Sequence, residues 1–249
     1  MIAAVILSCC LAADAVGLRG QAESLLRRWC DGLIALQVKE CERPELKGGI
    51  LCPACGFLHG RIGDVAYPFA HLYAKTGDAK YLKGAEAAVD WCEANMLLPT
   101  GLYRNDRQSY WRSTTAFCAI PLWKALRDYG EKLPAATAAK WRRILHRQLA
   151  ALYELYEHDP DFKAVINYYA VYPEAMYIAW KELGDEKYLA AAKRQAKELL
   201  EQAFNKDGFL IGEGKLNGSM FGTSPRGCNL VDFGYNLEES LTAIIEYAN

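Results

Sequence analysis

The chain has 249 residues, 52% of them hydrophobic and 24% charged, and 29 Lys and Arg nearly balance 30 Asp and Glu to a net charge of -1. That much apolar material builds one large core and excludes a disordered chain, a collagen-like repeat and a disulfide-held miniprotein. Without a basic surplus there is nothing to neutralise a phosphate backbone or an acidic membrane surface, so nucleic acid is excluded as the expected partner.

The first segment carries two readings. Residues Ile2 to Ala12 are small and apolar and Ala13-Asp14-Ala15 fits an A-x-A cleavage site, but no Lys or Arg precedes the apolar run. Residues 1–15 are therefore either a signal peptide, which places the protein in the periplasm or outside the cell, or a first helix, which leaves it cytoplasmic. The run is too short to span a bilayer. Residues 16–249 form the domain proper.

Apolar periodicity predicts helices over 20–38, 62–75, 79–96, 113–129, 135–157, 166–183, 186–203 and from 236 onward. Short runs at Gly101 to Arg104 and Gly208 to Gly212 read as strands of local β-hairpins in the connections. The helices alternate in character. Those at 79–96, 135–157 and 186–203 set an Ala/Leu stripe against a Lys/Arg/Glu face, the pattern of a helix with one side in water. Those at 62–75, 113–129 and 166–183 are apolar or aromatic nearly all round and belong to an inner layer. A repeat supports the division. Gly77-Asp78-Ala79-Lys80-Tyr81-Leu82 returns as Gly184-Asp185-Glu186-Lys187-Tyr188-Leu189, each time a Gly terminator and an Asp N-cap between an inner and an outer helix. Tyr129-Gly130 takes the same place in between, and Pro68, Pro121 and Pro173 fall at matching points of the inner helices. The expected fold is all-α, an α/α toroid of helical hairpins, incomplete because six closed hairpins need roughly twelve helices and eight are legible.

The inner-to-outer connections are short turns. The outer-to-inner connections are long and rich in polar and aromatic residues, and in a toroid they meet at one mouth, where a pocket is expected. They carry His59, Arg61 and Asp64; Tyr110, Trp111 and Arg112; Asn167 and Tyr168; and Arg226, Tyr235 and Asn236. Aromatic faces stack on sugar rings, Arg and Asn bind carboxylates or hydroxyls, and paired carboxylates supply the acid and base of glycoside hydrolysis. Asp64, next to Arg61, is the first candidate acid or base, with a helix cap as its alternative role; Asp232, Glu238 and Glu239 are candidates for the second carboxylate. A Tyr or His in this set can instead abstract a C5 proton in a lyase, with Tyr169 also in place.

Nine cysteines are scattered through a chain too long to need staples, so they do not make a disulfide framework. Cys92 and Cys118 fall in apolar helical patterns and read as buried thiols, and Cys30 as helix core. Cys52-Pro53-Ala54-Cys55 with His59, and Cys228 as a distant fourth, has the spacing of a structural zinc site; in an exported chain a local disulfide competes. No cofactor is required by the chemistry.

The Gly-Asp-x-Lys-Tyr-Leu turn, the Tyr-Pro inner helices and Val231-Asp232-Phe233-Gly234-Tyr235-Asn236-Leu237-Glu238-Glu239-Ser240 resemble α/α toroid carbohydrate-active enzymes: unsaturated glucuronyl hydrolases, glucuronidase-like hydrolases and toroid polysaccharide lyases. The resemblance covers residues 20–249 and implies a cleft-end site acting on a uronic-acid-containing oligo- or polysaccharide, with an Asp or Glu as acid/base. The expectation is a glycoside hydrolase, with a polysaccharide lyase as the alternative. His59-Gly60 near Cys52 and Cys55 also resembles the zinc-dependent lanthionine-synthetase-like cyclases, and a non-catalytic glycan-binding toroid would use the same aromatics.

Overall fold

The computed structural model describes residues 2–106, 111–159, 166–204, 214–215, 218–219 and 240–248, and the side chains from residue 17 onward except those of Gln202, 214–215 and 218–219. Helix α1 runs Ile2–Ala35, α2 Ala66–Thr76, α3 Ala79–Asn95, α4 Thr114–Tyr129, α5 Ala135–His158, α6 Ile166–Leu183, α7 Glu186–Gln202 and α8 Leu241–Ala248.

The alternation read from the sequence is the packing order. Helices α2, α4, α6 and α8 pack each on the next, and α3, α5 and α7 pack on the outside of α2, α4 and α6. The described helices are thus an arc of a toroid, with α1 lying against α2 and α3. The inner layer buries its large side chains, including Phe69, Phe117, Tyr169, Tyr172, Met176 and Ile178. The outer helices contribute one face each, such as Trp141, Leu145, Leu149 and Leu152 of α5. Burial at about 25 cal/mol per Å² of apolar surface is what holds the two layers together.

The repeated turns behave alike. Gly77 and Gly184 take φ of 71° and 74°, the left-handed conformation that ends a helix, and the next residue caps the following one. Asp78 accepts from the Lys80 N–H and Asp185 from the Lys187 N–H, both at 3.0 Å. Gly130 differs from the expected third copy. It is right-handed (φ -53°) and opens a 3-10 turn, Gly130–Lys132, before Pro134 leads into α5. Pro121 and Pro173 lie inside α4 and α6, whereas Pro68 falls in the first turn of α2, where its missing N–H costs nothing.

Three boundaries depart from the periodicity. Helix α1 is longer at its start and ends at Ala35, since Ala-rich residues continue a helix readily. It passes through the expected boundary at residue 15 without a break. The expected start of α2 at residue 62 is instead a 3-10 turn, Gly60–Val65, because its two glycines are pressed against neighbouring backbone and sulfur. The 97–104 segment is a small hairpin with one bridge, Leu97 to Tyr103, turned by Gly101 at φ 89°. The run Gly208 to Gly212 lies outside the described residues, and beyond it β1 (Gly214–Lys215) pairs antiparallel with β2 (Gly218–Ser219). Among the described residues no helix is long and apolar enough to cross a membrane.

Candidate functional site

The described parts of the outer-to-inner connections are knit together at one end of the arc. The Gly60 N–H donates to the Asn105 carbonyl at 2.5 Å, which ties the first connection to the second. Arg112 pairs with Asp159 at 2.9 Å, which ties the second to the third. The Tyr103 N–H donates to Thr115 Oγ1 at 2.8 Å and holds the 97–104 hairpin on the start of α4.

The 3-10 turn carries the first set of candidate residues and is seated by two buried thiols. Cys118 Sγ and Cys92 Sγ donate to the Gly60 carbonyl at 3.2 and 3.4 Å. A Cβ on Gly60 would lie 2.3 Å from the Arg104 carbonyl, and one on Gly63 would lie 2.8 Å from Cys118 Sγ, so neither position admits a side chain without movement. Burial, and after it the nearby Asp64 carboxylate, push the Cys92 and Cys118 thiols far up, so both stay protonated as donors.

On this turn Arg61 Nη2 and Nε donate to Asp64 Oδ2 at 3.0 and 3.2 Å. The guanidinium also lies 4.3 Å from the centre of the Phe117 ring. Phe117 in turn packs against Tyr168 of α6, ring centres 6.1 Å apart. Asp64 is not the cap of α2: that position is Val65, without a side-chain cap bond, and the Asp64 carboxylate is engaged with Arg61. Cys118 Sγ approaches its other oxygen at 3.9 Å.

Arg61 and Asp64 face a cavity of about 380 Å³ together with Trp29, Ile50, Cys52, Pro53, His59 and Asn105. Trp29 and Asn105 were not singled out in the sequence. Trp29 sits beside Cys30, which is core, but is itself 54% exposed; Asn105 is a buried turn residue that only the Gly60 contact brings to the rim. Asp64 is the one carboxylate among the described residues lining this cavity.

The other expected residues divide as follows. Tyr168 belongs to the Arg61 cluster through Phe117. Asn167 is buried and accepts from the Tyr168 N–H at 2.8 Å, which makes it a support of the first turn of α6. Trp111 is 59% exposed, and Arg112 holds Asp159. Tyr169 is wholly buried in the core, and burial raises its phenol. Cys52, Cys55 and His59 come together, with Cys55 Sγ 3.0 Å from His59 Nε2. Tyr110, Arg226, Cys228, Asp232, Tyr235, Asn236, Glu238 and Glu239 lie outside the described residues.

Paired inner and outer helices with an aromatic, arginine-bearing cavity at the connection end are the architecture of the helical toroid carbohydrate-active enzymes. Solved structures agree on the fold: a polysaccharide lyase (TM-score 0.57, 15% identity, 76% of this chain and 60% of that one), a sugar epimerase from a ruminal bacterium (0.55, 13%, 75% and 52%) and a D-mannose isomerase (0.50, 16%, 86% and 58%). The chain belongs to the ulvan lyase N-terminal domain family, whose profile matches residues 26–249. It is 30% identical over 225 residues to a broad-specificity ulvan lyase of Formosa agariphila, covering 90% of this chain and 34% of that protein. The chain thus spans about a third of that relative's length.

Proposed function

We propose that the chain is the toroid portion of a polysaccharide lyase, acting on ulvan or a similar uronic-acid-containing polysaccharide by β-elimination. The observation that carries this reading is Arg61, clamped by Asp64 over Phe117 at the cavity wall with Tyr168 adjoining. A fixed guanidinium binds a uronate carboxylate and withdraws charge from it, which acidifies the neighbouring C5–H. A base then takes the C5 proton, the C–H electron pair becomes the C4–C5 double bond, and the C4–O bond breaks with protonation of the leaving oxygen. Tyr168, which packs against the Phe117 ring beneath Arg61, is our candidate for the base. Asp64 acts as a positioning residue for Arg61.

We prefer elimination to the hydrolase expected from the sequence, which needs a second carboxylate facing Asp64. Membership of the ulvan lyase N-terminal domain family likewise favours elimination over hydrolysis, and over the cyclase likeness. The test is incubation of the purified chain with uronic-acid polysaccharides, ulvan among them, following the ultraviolet absorbance of unsaturated uronate and the reducing ends together. Rising absorbance is expected, with Arg61→Ala reducing the rate by about 100-fold or more, the scale of losing one electrostatic contact to developing charge. Reducing ends without absorbance would mean hydrolysis; binding with neither signal would mean a glycan-binding toroid.

A further inference from the structure

The segment between Leu51 and His59 has a job that the elimination chemistry does not use. The Leu51 to Leu58 bridge, a Cys52 N–H to Phe57 carbonyl bond of 2.9 Å and a Gly56 N–H to Cys52 carbonyl bond of 2.8 Å close it into a tight knuckle. Gly56 makes the reversal at φ 73°, a conformation that suits glycine.

The donor atoms of Cys52, Cys55 and His59 all lie within 4.8 Å of one another. A tetrahedral zinc with Zn–S of about 2.3 Å and Zn–N of about 2.0 Å sets its ligand atoms roughly 3.5 to 3.8 Å apart, so small side-chain movements gather these three around one ion. Both cysteines are free thiols, and His59 Nδ1 is buried without a partner among the described residues, while Nε2 is the atom turned toward Cys55. Thiolate and imidazole donors select zinc over the hard cations.

We propose that Cys52, Cys55 and His59 form a zinc site that clasps the knuckle to the 3-10 turn carrying Arg61 and Asp64. His59 is the residue immediately before that turn, so a metal bond at its ring fixes the start of the turn at the cavity rim.

The experiment uses the full chain, purified under reducing conditions, exposed to zinc and dialysed, with metal content read by mass spectrometry and the cobalt-substituted protein by absorption. One zinc per chain is expected, together with a thiolate-to-cobalt charge-transfer band. The Cys52→Ser/Cys55→Ser double variant, altered only in a surface loop, should retain its helical circular dichroism and fall below a tenth of the wild-type metal content; His59→Gln should lower zinc affinity at least tenfold. Wild type without stoichiometric metal overturns the proposal, as does metal content unchanged in the double variant. A two-hydrogen mass deficit mapped to Cys52 and Cys55 in protein purified separately without reductant overturns it in favour of a local disulfide. The readout is metal content, so it stands apart from the success or failure of the lyase reading.

Discussion

At the scale of single residues, the site depends on contacts with no local signature. Arg61 and Asp64 are three apart on one turn, and their pairing is legible from spacing alone. Phe117, which supports the guanidinium, is 56 positions further along the chain, and Asn105, which receives the Gly60 N–H, is 45 away. Gly60 shows the consequence most directly. Its Cβ position is occupied by the Arg104 carbonyl, so Gly60→Ala must displace backbone on one side or the other. Overpacking of this kind costs about 1–3 kcal/mol. The expected outcome is a lower urea midpoint with a larger proportional loss of turnover, because the shift falls on the turn that carries Arg61. Unchanged melting and turnover would show that the close approach is not required.

At the scale of elements, the helical hairpins were legible because their signals are local. Gly for the left-handed terminator, Asp for the cap and the switch from one-sided to all-round apolar pattern are all carried within one turn or one helix. Replacing either cap, Asp78→Ala or Asp185→Ala, should cost about 1 kcal/mol, and the double variant about twice that, since the two turns are far apart in the arc. Equilibrium unfolding measures both, and turnover should stay at the wild-type level because these turns lie at the end opposite the cavity. What the same local logic overreached on was Gly130. Its position in the repeat suggested a third left-handed terminator, but Pro134 four residues later offers another route into α5, and the chain takes a 3-10 turn instead. The start of α2 was likewise placed too early, since periodicity registers apolar spacing and not the glycines packed against Cys118 and Arg104.

At the scale of the whole molecule, the inner layer carries a charge cluster around one buried carboxylate, Glu174, that no single segment announces. Lys124 of α4, Glu174 of α6 and Glu246 of α8 meet where the inner helices adjoin, Lys124 Nζ lying 3.8 Å from Glu174 and in direct contact with Glu246. Burial, reinforced by the hydrogen bond to Glu246, pushes the Glu174 carboxyl up to about 9, with Lys124 and Arg127 opposing. Against its own burial, hydrogen bonds with Glu174 and Lys124 hold Glu246 below its usual range. Between the unfolded value of 4.5 and about 9 the folded chain keeps a proton that the unfolded chain has released. Stability is therefore fully present below that window and declines as pH rises through it. Denaturant midpoints measured from mildly acidic to mildly alkaline pH should fall for wild type and stay flatter for Glu174→Gln; identical profiles would mean that the carboxyl ionises as freely folded as unfolded.

The sequence by itself determined the all-α class, the order of inner and outer helices, the end of the hairpins at which the polar connections gather and the Cys52, Cys55 and His59 cluster. Each of these is written in periodicity, turn chemistry or short spacing, which act over at most a few turns of chain. The tertiary structure alone decided which of the gathered residues share a wall. It sent Tyr169 into the core and Asn167 to the support of α6, gave Arg112 to Asp159, and set Trp29, Asn105 and Phe117 around Arg61. Those partnerships join segments tens of residues apart, and the rotation of each helix that brings them face to face is fixed by core packing, which a one-dimensional pattern does not record.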